Sequence, residues 1–334
     1  MAGIYEVDLT GKLQEIGDSI FIAESEKTPI TRLLRRGKKP VAMLCDWIAQ
    51  KYPDRAFTGT LDGVDMTSFN KSTRVMIEGY AMLMRTEGWL VTVLAQLVRT
   101  AGVKNESAKQ AADDAIILAQ MMEKQILSNL DTRVESGSDT YRSRSMYSWL
   151  NPSAQSVKPV DATLRPNVLN TYTGAYGSFT PASLTIMLNS MAGEKKGPVN
   201  LTAPMGLSLK GQMSSWPQLT SASTNTQKSV SSFNIDASEK KLINAVDTFV
   251  FDAGTVDAVP SFYLMCTEST GAVSAYSPLS GLFLDLTMWE LCFLLNPSTF
   301  EGVDAGGGPR GWHAAAYILK CLNGQGQGYV LTNS

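Results

Sequence analysis

His313 is the only histidine, so His-pair metal sites and a two-histidine acid–base mechanism are excluded at the outset. It stands between Trp312 and three alanines. No Ser or Cys sits in a nucleophile elbow, so His313 reads as a packed or hydrogen-bonded side chain. Ser238 and Lys241 match Ser-x-x-Lys by spacing alone, without the partner motifs of that hydrolase class. Gly324, Gly326 and Gly328 follow an apolar run, but only six residues remain after Gly328. No helix fits there to hold a pyrophosphate, so these glycines read as a turn between two C-terminal strands. The run AGGGPRG (305–311) lacks the Lys-Ser/Thr of a phosphate loop. It reads as a flexible turn, with Arg310 as an interface charge. Carboxylate pairs occur at Asp113–Asp114 and Glu24–Glu26, and the first, on the expected long helix, reads as pointing to solvent. Cys45, Cys266, Cys292 and Cys321 form no Cys-x-x-Cys pair and sit in apolar stretches, which predicts reduced, buried thiols. No catalytic, cofactor-binding or metal-binding residue is assigned, and the chain reads as a non-enzyme.

One charge feature survives. Residues 27–39, KTPITRLLRRGKK, carry Lys27, Arg32, Arg35, Arg36, Lys38 and Lys39 and no acid. Such a run either contacts phosphates, releasing counterions, or pairs with carboxylates of a neighbouring chain.

The elements that must position these residues follow from periodicity and punctuation. Residues 1–26 read as an arm without a core of its own, and 40–71 as an extended hairpin broken by Pro40, Pro53, Gly59 and Gly63. Residues 74–86 read as a strand. Residues 89–100 read as a helix with Leu90, Val93, Leu94 and Leu97 on one face. A long helix is expected over 107–130, opened by a Ser107/Gln110 capping box. Its expected buried stripe is Ala108, Ala111, Ala115, Leu118, Met122 and Ile126, with Asp113, Asp114, Glu123 and Lys124 off it. Residues 136–178 read as an irregular excursion. Thr180–Pro181 opens a helix ending at Gly193, followed by a buried strand (199–204), a short helix (205–216) and a polar tip (218–232). From 241 onward LINAVDTFVF, SFYLMC, LFLDL, ELCFLL and AAAYILKCL read as strands.

The 334 residues are 44% hydrophobic but only 18% charged, with a net charge of −2. The core is therefore sizeable, and the low charge suggests that much of the surface is covered by other molecules. Bulk attraction to nucleic acid is excluded, though a local basic patch is not. The N-terminus lacks a signal-peptide pattern, and no apolar run approaches the ~18–20 residues of a membrane span.

Four stretches carry a family resemblance. They are TPITRLLRRGKKPVAMLCDW (28–47), ESAKQAADDAIILAQMMEKQIL (106–127), FTPASLTIMLNSM (179–191) and AYILKCLNGQGQGYV (316–330). In this order they resemble the major capsid proteins of tailed double-stranded DNA bacteriophages. The resemblance implies an α+β, Hong Kong 97-like fold. Its implied parts are an N-terminal arm (1–36), an extended loop (37–75), a peripheral domain (76–178) with spine helix 107–130, and an axial domain (179–284). C-terminal strands (285–334), with a terminal hairpin at 316–330, would return to the peripheral domain. It implies a subunit that self-assembles into hexamers and pentamers of an icosahedral shell around the DNA genome. The partners would be identical subunits, a portal, scaffolding or cement proteins, and packaged DNA by non-specific contact, with no membrane. Assembly is expected in the host cytoplasm and residence in the virion. The extended loop would lie over a neighbour, with Trp47, Tyr52 and Phe57 as anchors. The basic run would face the lumen or join chains. Some relatives link a loop lysine to a neighbour's asparagine; Lys38, Lys39 or Lys51 and Asn296 or Asn323 are the candidates here, without an identifiable acidic catalyst. The chain lacks a long coiled N-terminal extension, so scaffolding would be separate or absent. A shell subunit of an encapsulin-type nanocompartment is the near alternative, and a soluble hydrolase the remote one.

Overall fold

A computed structural model describes residues 28–52, 57, 59–67, 69, 74–97, 103, 105–216, 234–236, 241–243, 246–266, 277–304 and 306–332. In chain order the first elements are α1 (Pro29–Leu33), β1 (Arg35–Arg36), β2 (Leu44–Gln50), β3 (Arg74–Tyr80), β4 (Met82–Arg85), β5 (Trp89–Leu90), α2 (Val93–Leu97) and α3 (Glu106–Ile126). The middle of the chain forms α4 (Met146–Leu150), β6 (Thr171–Tyr172), α5 (Pro181–Lys195), β7 (Val199–Met205), α6 (Leu207–Ser214), β8 (Asn234–Asp236) and β9 (Lys241–Ile243). It ends in β10 (Thr248–Phe251), β11 (Gly254–Pro260), β12 (Ser280–Phe283), β13 (Trp289–Gly302), β14 (Arg310–Cys321) and β15 (Gly328–Leu331).

Two sheets organise the molecule. A five-stranded sheet runs β1-β13-β14-β4, with β5 also on β14, and a six-stranded sheet runs β10-β11-β7-β12-β15-β6. The first packs its Leu291, Phe293, Tyr317 and Leu319 into one core with Leu118, Met122 and Ile126 of α3. The second buries Leu201 and Ala203 of β7 and Val256 of β11 with Leu184, Leu188 and Met191 of α5 and Leu209 of α6. β2 and β3 form a separate antiparallel pair.

The long helix α3 begins one residue before its expected start and ends near 126. Asn105, extended at φ −143°, caps it by accepting the Ala108 N–H at 3.1 Å, displacing the expected Ser107 box. Its buried face is also rotated: Asp114, Leu118, Met122, Glu123, Gln125 and Ile126 point inward, whereas Ala108 and Ala115 are exposed. Gln125 explains part of this, since its amide donates to the Ser143 carbonyl at 2.6 Å and its Oε1 accepts from Tyr317 Oη at 2.8 Å. Burial accordingly pushes the Tyr317 phenol far above its ordinary value.

The 136–178 excursion is irregular as expected, but it is not peripheral. Residues 143–150 are all buried. Arg144 donates to Asp131 Oδ1 at 2.8 Å and to the carbonyl of Lys158 at 3.0 Å, and its guanidinium lies 4.6 Å from the Trp149 ring centroid. Burial raises the Asp131 carboxyl. Arg144 and the hydrogen bonds from Ser156, Ser148 and Val157 outweigh it and hold Asp131 below its ordinary range.

Several expectations need correction. The expected helix at 89–100 is β5 followed by the five-residue α2, because Trp89 and Leu90 pair with Gly311 and Arg310. The strand expected over 74–86 is broken at Ala81 into β3 and β4, which join different sheets. SFYLMC (261–266) is a bend and turn, with Met265 at φ +58°. α5 runs past Gly193 to Lys195 and ends at Lys196, itself left-handed at φ +56°. The last strand does not return to the first sheet: β15 pairs with β12 and β6, so Gly324, Gly326 and Gly328 bridge two sheets instead of closing a terminal hairpin. Residues 1–26 and 218–232 lie outside the described residues, as does Ser238.

Candidate assembly surface

The base of the β2–β3 hairpin alternates faces strictly. Cys45, Trp47 and Ala49 of β2 and Val75, Ile77 and Gly79 of β3 turn inward, while Leu44, Ile48 and Met76 are exposed. Register pairs Trp47 with Ile77, and Ile48 with Met76. The inward face docks on β14. Trp47 Nε1 donates to the Cys321 carbonyl at 3.0 Å, its ring lies 5.6 Å from Trp149, and Lys320 Nζ sits 5.5 Å above it. Trp47 therefore anchors the hairpin to its own chain, which corrects its expected place among the free contact residues. Its amphipathic ring favours this site, where the N–H finds a carbonyl and the face finds a cation.

Beyond the base the hairpin's apolar side chains are exposed among the described residues. Tyr52 is 85% exposed and Phe57 fully so, and Leu61, Val64, Met66 and Phe69 are exposed as well. Burying such a side chain is worth ~1.5–3 kcal/mol, so a row of them in water is a surface awaiting a partner. A second apolar patch was not anticipated. Leu90, Val93, Leu94 and Leu97, expected to share one helix face, are all exposed.

The basic run divides by position. Lys27 lies outside the described residues. Arg32, Lys38 and Lys39 are exposed. Arg35 reaches Glu290 Oε1 at 3.7 Å, and the Arg36 guanidinium lies 4.3 Å from the Phe293 ring centroid. Both are held by β1, which pairs parallel with Glu290 and Leu291 of β13. The run thus lies along its own chain through β1, while all five of its described cations are exposed.

Two buried carboxylates that periodicity put in solvent position this region. Glu123 accepts from Ile30 N at 2.9 Å and Thr31 N at 2.7 Å, and from the Thr31 hydroxyl. It caps α1 and fastens the start of the basic run to α3. Burial raises its carboxyl, against the lowering hydrogen bonds from Thr31 and Ile30. Asp114 takes the Thr86 hydroxyl and lies 3.0 Å from His313 Nδ1, whose Nε2 is 2.9 Å from Thr299 Oγ1. Asp113 stays at the surface, paired with Lys109 at 2.9 Å. The signal was available: Asp114, Leu118 and Met122 step by four, and Glu123 stands three before Ile126. Arg310 bonds the Val303 carbonyl of its own hairpin. Among the described residues no group of three or more His, Cys, Asp or Glu could hold a metal ion, and no helix is long and apolar enough to cross a membrane.

Comparison with known proteins places this arrangement. A model of the SU10 major capsid protein family matches residues 3–315. No curated protein sequence matches the chain. Solved structures with the same fold include "Capsid structure of the Cyanophage P-SCSP1u", 11% identical, covering 96% of this chain and 93% of that one at a TM-score of 0.56. A structure from Mycobacterium phage Bobi is 9% identical, with full coverage of both chains and a TM-score of 0.59. The asymmetric unit of the cyanophage Pam1 capsid is 10% identical, covering 99% of this chain and 98% of that one at 0.58.

Proposed function

The chain belongs to the SU10 major capsid protein family and is a major capsid protein of a tailed phage with the Hong Kong 97-like fold, and from that premise we propose how its copies join. The extended hairpin lies over a neighbouring copy, with Tyr52 and Phe57 inserted into it and Trp47 fixing the hairpin base on its own subunit. The observation that carries this is the row of exposed apolar side chains beyond a firmly docked base. Identical subunits so linked form hexamers and pentamers of an icosahedral shell around the double-stranded DNA genome, assembled in the host cytoplasm with a portal and any scaffolding or cement protein. The exposed cations Arg32, Lys38 and Lys39 meet DNA phosphates without base reading.

Nothing in the family relationship calls for catalysis, and a hydrolase reading has no supporting site among the described residues. A phage head is favoured over an encapsulin-type compartment because the solved structures of the same fold include phage capsids. Sedimentation tests the joining mechanism. Tyr52→Ala with Phe57→Ala should leave folded, slowly sedimenting subunits where the unaltered protein forms fast-sedimenting shells. Normal shells from the double variant would refute the hairpin's role.

A further inference from the structure

The hairpin base and the five-stranded sheet meet through cysteines. Cys292 of β13 lies opposite Ile318 of β14 and forms a small buried cluster with it and Ala81. Cys45 of β2 packs against that cluster beside Met43 and Trp47. Cys45 is paired with Gly79, and a Cβ on Gly79 would stand 2.9 Å from Cδ1 of Ile318, the cross-strand neighbour of Cys292. Both thiols are free. Among the described residues, β2 and β3 share no strand pairing with β13 or β14. Side-chain contacts such as the Trp47 indole bond hold the hairpin base down.

We propose that Cys45 and Cys292 are a redox-linked pair that closes to an intrachain disulfide when the particle meets an oxidising, disulfide-containing medium, stapling the hairpin base to the subunit body. The oxidant is a small-molecule disulfide such as oxidised glutathione. The half-buried Cys45 thiolate attacks one of its sulfurs and expels one glutathione thiolate. The Cys292 thiolate then attacks the Cys45 sulfur of this mixed disulfide and expels the second glutathione. Two protein thiols give up two protons and two electrons, and one glutathione disulfide becomes two thiols. In the reducing cytosol the pair stays open, leaving the hairpin base without the staple during assembly. Burial first, then Glu290 and Cys45 itself, push the Cys292 thiol up, against Lys320. The closing step therefore quickens as pH rises.

The test incubates the purified native full-length protein with oxidised glutathione, alkylates the remaining thiols and digests without reduction using trypsin and Glu-C. These separate Cys45 (residues 39–51) from Cys292 (291–301), and both from Cys266 and Cys321. The expected result is a linked 39–51/291–301 species within one chain, a loss of two free thiols, and reversal by dithiothreitol. Cys45→Ser should lose the link while keeping the same thermal transition under reducing conditions. A lasting glutathione adduct on Cys45 without the link, no loss of thiols, or a link only between chains would each overturn the proposal.

Discussion

Gly79 has no side chain because its neighbours fill the space: a Cβ there would lie 2.9 Å from Ile318 Cδ1 and 3.2 Å from the Trp47 ring. Gly79→Val should push Trp47 off the Cys321 carbonyl and destabilise the subunit by ~1–3 kcal/mol. Thermal unfolding checks this; an unchanged transition would mean the hairpin base is not packed as described. Glu123 gives a pH signature. Its folded-state carboxyl is raised by burial, so protonation favours the folded state. The stability it contributes is present below the unfolded value and is lost as pH rises through the raised one. Asp131 and Asp285 are lowered and act oppositely, losing their contribution as pH falls. Relative to Glu123→Gln, the unaltered protein should therefore lose stability as pH climbs just above the ordinary carboxylate range. Denaturant unfolding across that range measures it, and parallel profiles would contradict it. Neither buried carboxylate was expected, because a charge on a helix is by default assigned to solvent. His313 was legible as a bonded histidine, but its partner Asp114 was not.

The hairpin is the element whose form and exposure together imply partners. An extended hairpin was expected within 40–71 and a separate strand over 74–86, but Leu44–Gln50 takes its partner from Arg74–Tyr80, so the hairpin is longer than the breaks in the sequence suggested. Which aromatic turns inward was not legible either, since Trp47 and Tyr52 are five residues apart and only tertiary packing separates their roles. Each aromatic beyond the base should add ~1–2 kcal/mol per intersubunit contact. Single Tyr52→Ala or Phe57→Ala variants should raise the concentration needed for assembly about tenfold or more, read by light scattering, with unfolding unchanged. An unchanged threshold would remove these residues from the interface. The helix expected at 89–100 failed for a related reason. Its apolar spacing was real, but Trp89 is recruited by the edge of β14, and the remaining leucines face outward. Apolar period reports a face to be covered, and does not say whether the cover belongs to the same chain.

At the scale of the whole molecule the order of the described elements was legible in part: an extended hairpin, a long helix and a helix–strand–helix unit between strands, while the arm expected over 1–26 lies outside the described residues. The final crossing of β15 into the six-stranded sheet was hidden, because sequence shows strands without their partners. The basic run also makes sense only at this scale. Reversing Arg35 or Arg36 would disturb contacts to Glu290 and Phe293 within the subunit. Lys38→Glu with Lys39→Glu is the cleaner variant. It should form closed shells whose DNA release occurs at lower salt than in the unaltered protein, since fewer counterion-releasing contacts remain. Failure of closure would assign these lysines to chain-to-chain pairing instead. The central claim is that the hairpin reaches out to join copies of this chain. Cryo-electron microscopy of the purified assembled particle tests it most directly. The account predicts a closed shell in which the hairpin beyond Trp47 lies on a neighbouring subunit, with Tyr52 and Phe57 buried there. A closed shell whose hairpins fold back on their own subunits, or stand free of any neighbour, would contradict it.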